Sequence, residues 1–172
     1  MLSTAGIAVP AGRRAEGPED ISAATAVLTP PFALKGLGHA HKSEAGLVRL
    51  GLGANALAAA ALDMPTARGF LVEEMAPPPV AELLVGLRRD PVYGMTLSLG
   101  MGGTAAELLG DIVTLVLPVT GDEIRAALSR LRLAPLLTGY RGRAPADIAA
   151  ALDAALRLCD IMSAHPGIGE SE

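Results

Sequence analysis

The sequence predicts a mixed α/β chain of the α+β kind, and three observations predict it. Strand-like and helix-like stretches alternate early, strands then cluster between residues 69 and 119, and helical stripes return at the C-terminal end. Hydrophobic residues are 51% and charged residues 19%, so a sizeable core is available and global disorder is disfavoured. The 172 residues fit one domain or two small lobes.

Residues 6–14 (GIAVPAGRR) read as a short strand entering a turn. Gly17-Pro18-Glu19-Asp20 is a helix start, with Pro at the first helical position and acids in the first turn. Ile21, Ala24 and Leu28 then share a face, and Pro30-Pro31 stops the helix. PFALKGL and GLVRLGL are apolar strands, and an alanine-rich helix spans 54–63. GFLVEEM, AELLVGLRRD and YGMTLSLG follow as strands, separated by a loop at Pro77-Pro78-Pro79 and a turn at Asp90-Pro91. GMGGTAAELLGD leads into a strand at IVTLVLPV. Thr120 and Glu123 form a capping box opening a helix with Ile124, Leu128 and Leu131 on one face. A last helix is expected from near Pro145, with Ile148, Leu152, Leu156, Cys159 and Met162 at helical spacing. Cys159 lies on that stripe and reads as a core residue, not a nucleophile. The chain opens at what reads as the end of a helix. It closes in GIGESE with no packed element expected after the last helix.

A net charge of −4 argues against a non-specific nucleic-acid binder, and 2% aromatics with no Trp argues against base-stacking platforms. No apolar run reaches the length of a membrane span, and no leader pattern opens the chain, so no membrane partner is expected and the cytoplasm is the simplest compartment. The basic residues are 12 Arg and 2 Lys. Both lysines, Lys35 and Lys42, flank the stretch that also holds two of the three histidines.

Four constellations carry possible chemistry. Lys35 ends the strand PFALK beside Gly36 and Gly38, where an ammonium can neutralise phosphate. On the local pattern alone, a solvated strand-end lysine is the better reading. In His39-Ala-His41-Lys42-Ser43-Glu44, His41 can serve as general base, metal ligand or phosphoryl acceptor, and a polar loop before a buried strand is the plain alternative. Gly100-Met-Gly102-Gly103-Thr104 lets a backbone approach an anion, with Glu107 and Asp111 four apart and able, if helical, to offer carboxylate oxygens to Mg²⁺ from one face. A tight turn with surface acids fits the same residues. Glu73-Glu74-Met75 and Glu82 flank a Pro-rich hinge where an adenine and ribose site can be built, or simply an exposed strand end.

Taken together, the series PFALKGLGHAHKSEAGLVRLGL, GFLVEEM, AELLVGLRRDPVYG, LGMGGTAAELLGD and PLLTGYRGRAPADI resembles the ATP-grasp domain of NDP-forming acyl-CoA synthetases, relatives of ADP-forming acetate–CoA ligase and of the succinyl-CoA synthetase β subunit. The resemblance covers nearly the whole chain in the family's order. It implies an ATP-grasp fold of two small α/β lobes with a nucleotide cleft between them, a small lobe over 1–76 and a large lobe over 77–172. It also implies a reversible reaction in which an acid, CoA and ATP give acyl-CoA, ADP and phosphate.

By position, the resemblance makes Lys35 a nucleotide-phosphate contact and His41 a phosphoryl carrier assisted by Lys42 and Arg141. Glu73, Glu74 and Met75 match the adenine-side hinge, and Glu82 lies towards ribose. Gly102 and Gly103 match the phosphoryl-transfer loop, and Glu107 and Asp111 are the implied metal ligands. The implied cofactor is Mg²⁺ with ATP or ADP. CoA would be bound mainly by a separate domain or subunit of the same ligase, and the full enzyme is expected to be oligomeric. His39 is read as structural. The family's further INPL segment would follow residue 172, so the chain is expected to be incomplete at both ends and to show weak or no ligase turnover alone. A non-catalytic partner-binding module and another ATP-grasp carboxylate ligase are the alternatives. The HKS stretch and the G-RG segment argue against the second.

Overall fold

The computed structural model describes residues 1–39, 42–43, 45–103 and 106–171, with the backbone alone at Glu107. Gly6, at φ +78, ends a single 3-10 turn over Ser3–Ala5. The strand expected over 6–14 is confined to β1, Gly12–Ala15. Pro10 offers no N–H to a ladder, so regular pairing begins beyond it. The chain divides into two units, one formed by Val9–Pro77 and the other by Met1–Ala8 with Pro78–Glu172.

In the Val9–Pro77 unit, Pro18 opens a 3-10 turn that passes into α1, Ile21–Thr25. Then come β2, Phe32–Gly36, and β3, Val48–Leu52, followed by α2, Ala54–Leu62, and β4, Phe70–Glu74. The strands form an antiparallel sheet in the order β1-β4-β2-β3. Gly51, at φ +72, lies where the β2–β3 register shifts by one residue. Alternation decides the faces. Ala15, Phe32, Leu34, Phe70 and Val72 are buried with Ile21 and Ala24 of α1 and Leu57 and Ala61 of α2. Each large side chain so buried contributes roughly 1.5–3 kcal/mol. The intervening positions Gly12, Arg14, Lys35, Leu71 and Glu73 belong to the opposite face.

The second unit holds β5, Leu83–Asp90, and β6, Gly94–Met101, joined by a tight turn. After α3, Ala106–Leu109, comes β7, Ile112–Val116. The helices α4, Gly121–Arg130, α5, Ala134–Leu137, and α6, Ile148–Ala164, follow. Leu87, Leu97 and Leu99 bury against Ile124, Ala127 and Leu128 of α4 and Leu152, Ala155, Cys159 and Met162 of α6. On the other face, the Ser98 and Thr114 hydroxyls lie 3.1 Å apart.

The capping box at α4 is present in full: the Glu123 N–H donates to Thr120 Oγ1 at 3.3 Å and the Thr120 N–H to Glu123 Oε2 at 2.7 Å. Leu131 is buried but lies outside that helix, its ψ of 146° being extended. The last helix begins at Ile148, just beyond Pro145, where Asp147 caps it by accepting the Ala150 N–H at 2.9 Å.

The closing GIGESE does carry a packed element. Glu170–Ser171 form β8, paired with Arg88 and Leu87 of β5. Arg89 secures this arrangement by donating to the carbonyls of Met162, Ile168 and His165. Among the described residues no helix is long and apolar enough to cross a membrane.

Candidate functional site

Lys35 stands near the end of β2, opposite Leu71 of β4, with Glu73 two positions along β4 on the same face. Diagonal neighbours of this kind are within reach of long side chains. The Lys35 ammonium lies directly against Glu73 Oε2, the side chains being 38% and 15% exposed. That oxygen is buried, and among the described residues it has no hydrogen-bond partner apart from the ammonium beside it. Gly12 makes room for this carboxylate. A Cβ at Gly12 would come within 2.9 Å of Glu73 Cγ and 3.1 Å of the Val72 carbonyl oxygen.

Glu74 and Met75 do different work from Glu73. Glu74 Oε1 accepts the Thr29 N–H at 2.7 Å, which holds the approach to β2. Met75 donates its N–H to the Pro31 carbonyl at 3.0 Å, and its sulfur accepts the Gly51 N–H at 2.9 Å. The three successive side chains of the predicted hinge therefore divide between one that faces Lys35 and two that fasten the sheet end.

His41 lies outside the described residues. Lys42 is half-buried, and its carbonyl accepts the Leu47 N–H at 2.8 Å, closing the loop before β3. His39 donates from Nε2 to the Thr66 carbonyl at 3.1 Å; a carbonyl can only accept, so that nitrogen carries the proton. This bond ties the loop to the segment before β4.

In the second unit, Glu82 and the glycine-rich loop meet. The Gly102 N–H donates to the Glu82 carbonyl at 2.8 Å. Gly103 has φ +83, and a Cβ there would lie 2.6 Å from Glu82 Oε2. The Glu82 carboxylate is thus placed at the loop expected to serve phosphoryl transfer. Glu107 is in α3, but its side chain lies outside the described residues. The helix ends at Leu109 and Gly110 turns the chain at φ +54, so Asp111 does not share a helix face with Glu107. Asp111 Oδ2 instead accepts the Leu133 N–H at 3.3 Å. Arg141, at φ +50 between Gly139 and Gly142, stacks its guanidinium 5.2 Å from the Tyr140 ring centre.

A cavity of about 710 Å³ opens among α4, α5 and the start of α6, lined by Leu128, Leu131, Leu137 and Ile148 with Arg125 and Arg132. None of the candidate site residues predicted from sequence is among its lining residues. Sequence reasoning passed over Arg14 and Gly12 on the Lys35 face. Their face follows from the burial of Ala15 in the fold, since alternation from it sends Arg14 and Gly12 to the opposite side.

The chain is 36% identical over 142 residues to the ADP-forming acetate–CoA ligase I of Archaeoglobus fulgidus, 77% of this chain and 21% of that protein. It is 32% identical over 183 residues to a trans-feruloyl-CoA synthase of an unknown prokaryotic organism, 99% of this chain and 26% of that one. Against the β subunit of acetate–CoA ligase I from Pyrococcus furiosus, identity is 30% over 141 residues, 76% of this chain and 60% of the subunit. The chain therefore spans about a fifth to three fifths of these curated relatives. Among solved structures, the dinucleotide forming acetyl-coenzyme A synthetase 1 of Ca. Korarchaeum cryptofilum, in complex with coenzyme A, Ca-AMPCP and HgCl⁺, superposes with a TM-score of 0.90 at 31% identity. That match covers 98% of this chain and 79% of the other. Residues 1–172 match the ATP-grasp domain family throughout, and the chain belongs to it.

Proposed function

We propose that this chain is the nucleotide-binding part of an ADP-forming acyl-CoA ligase, in which acid, CoA and ATP are interconverted with acyl-CoA, ADP and phosphate. One observation carries the reading. Nearly the whole chain superposes on a synthetase solved with coenzyme A and a nucleotide analogue. Another form of that synthetase holds Mg-AMPPCP, with its phosphohistidine segment pointing towards the nucleotide binding site.

In this reading the Val9–Pro77 unit is the small lobe and supplies Lys35 to the phosphates, with Glu73, Glu74 and Met75 on the adenine side. The remaining unit is the large lobe and supplies Glu82, Gly102 and Gly103. Phosphoryl transfer needs charge neutralisation and positioning more than covalent machinery. The one covalent role falls to His41. Its neutral imidazole nitrogen forms a P–N bond as the bond to a donor phosphohistidine breaks. A β-phosphate oxygen of ADP then displaces the imidazole, giving ATP. Lys42 and Arg141 offset the charge of the transferring group.

Magnesium suits the donor set. Glu107 and Asp111, the acids expected to hold it, carry hard carboxylate oxygens. Among the described residues no three acids, histidines or cysteines cluster. A nucleotide-borne Mg²⁺ takes one or two carboxylates and fills its shell with phosphate oxygens and water. When bound, the ion neutralises phosphate charge. CoA and the first phosphohistidine belong to a partner domain or subunit, a reading supported by the β-subunit relatives, and the ligase assembles as an oligomer.

The test is calorimetric titration with Mg-ADP, comparing the unaltered chain with Lys35→Ala. Reduced affinity in the variant is expected, and unchanged affinity refutes the placement of Lys35. Exchange of labelled phosphoryl from ATP, in the presence of the partner that carries the donor phosphohistidine, should disappear in His41→Ala. Undiminished exchange sinks the carrier role.

A further inference from the structure

We infer that Arg14 is a second phosphate-binding cation for the nucleotide, acting with Lys35 across the open face of the sheet. The inference rests on the nucleotide-binding reading above and adds a residue to it. In the ladder, Arg14 of β1 stands opposite Leu71 of β4, and Leu71 stands opposite Lys35 of β2. The three form one row across three adjacent strands. Strands lie about 4.8 Å apart, so the two cations start roughly 10 Å apart at the backbone with a leucine between them.

They share a face. A Cβ on Gly12 would touch Glu73 Cγ and come within 3.6 Å of Leu71 Cδ1, which fixes that position on the side of Glu73 and Leu71. Arg14 is two residues further along β1 and points the same way. Ala15, the next residue along, is buried on the opposite, helix-covered side, while Arg14 is exposed.

Charge then argues for Arg14. Lys35 is paired with Glu73, so the two together present no net charge to an incoming anion. The ion pairs among the described residues are Lys35–Glu73 and Arg157–Asp153, and Arg14 is in neither. An unpaired guanidinium on the same row supplies the positive potential that the Lys35–Glu73 pair lacks. Its planar fork suits phosphate oxygens. Leu71, half-buried, is the residue that stands between the two cations in the row.

The experiment is calorimetric titration of the full chain with Mg-ATP, Mg-ADP and adenosine, for the unaltered protein, Arg14→Ala and Arg14→Lys, with circular dichroism to confirm folding. Arg14→Ala is expected to weaken Mg-ATP and Mg-ADP binding about fivefold to tenfold, less than a buried charged hydrogen bond because Arg14 is exposed, and to leave adenosine unchanged. Arg14→Lys is expected to keep most of the affinity. The inference is overturned if Arg14→Ala binds Mg-ATP within about twofold of the unaltered chain, or loses adenosine to the same degree as Mg-ATP. If the unaltered chain binds none of the three, the nucleotide-binding reading falls and this inference falls with it.

Discussion

Lys35 and Glu73 form an ion pair across β2 and β4 in which the carboxylate oxygen is buried and the ammonium is partly open to solvent. The asymmetry says which partner depends on the other. Glu73 needs Lys35 as its neutralising contact, whereas Lys35 keeps access to water and to an incoming anion.

Lys35→Met should therefore cost more stability than Glu73→Gln, because it strands a buried acceptor. The expected loss is about 1 kcal/mol, at the low end for an unsatisfied buried group because the lysine is 38% exposed. The double variant should recover most of it. Urea unfolding of all four proteins measures the coupling, and strictly additive losses would contradict the dependence.

Gly103→Ala should be destabilised and should displace Glu82. The backbone there has φ +83, which an alanine adopts at a cost of about 1 kcal/mol. The added Cβ would also occupy the space of Glu82 Oε2. Thermal melting gives the stability, and nucleotide titration shows whether the loop has shifted; a melt identical to the unaltered chain would exclude this strain.

Acid should loosen α4 first at its N-terminus. The backbone N–H of Thr120, and then its hydroxyl, hold the Glu123 carboxyl below its ordinary value of 4.5. A depressed carboxyl stabilises the fold above its unfolded value. That stabilisation is lost as the pH falls through the lower folded value. Between pH 7 and 5 the contribution should be flat. Below about 4.5 it should decline, and in Glu123→Gln this part of the decline should vanish. Hydrogen exchange of the first α4 amides against pH reads the difference.

Cys159 should react slowly with thiol reagents in the folded chain. Burial pushes its thiol up, with the Asp160 charge adding to the effect. The residue is 6% exposed within the α6 stripe. Labelling should accelerate sharply on unfolding in denaturant, and rapid labelling of the native chain would place the thiol outside the core.

The sequence made the larger apolar elements legible, because β2, β4, β5, β6 and β7 are bounded by glycine or proline and α4 opens with a complete capping box. It failed where pairing rather than composition creates an element. Glu170 and Ser171 have no strand character of their own and are ordered by the backbone of Leu87 and Arg88. The start of β1 was misplaced because an apolar run through Pro10 looks like strand until the ladder is counted. At the site, Lys35 and the glycine loop were recognisable as residue types. The Lys35–Glu73 pair and the Arg14–Leu71–Lys35 row were not, since both depend on the register among three strands distant in sequence. The proposed acid pair Glu107 and Asp111 assumed a helix that Gly110 ends.

Arg157 donates to the carbonyl of Ala5 at 2.9 Å, linking positions 152 residues apart. The β-strands and helices of Val9–Pro77 are contiguous in the chain and can associate through short closures, but this bond requires nearly the whole chain to be looped back. Loop-closure entropy rises with the logarithm of that separation, so the N-terminal turn is set to dock after the other elements are in place. In order of assembly it is a late arrival, and on gradual destabilisation it is the first segment expected to peel away.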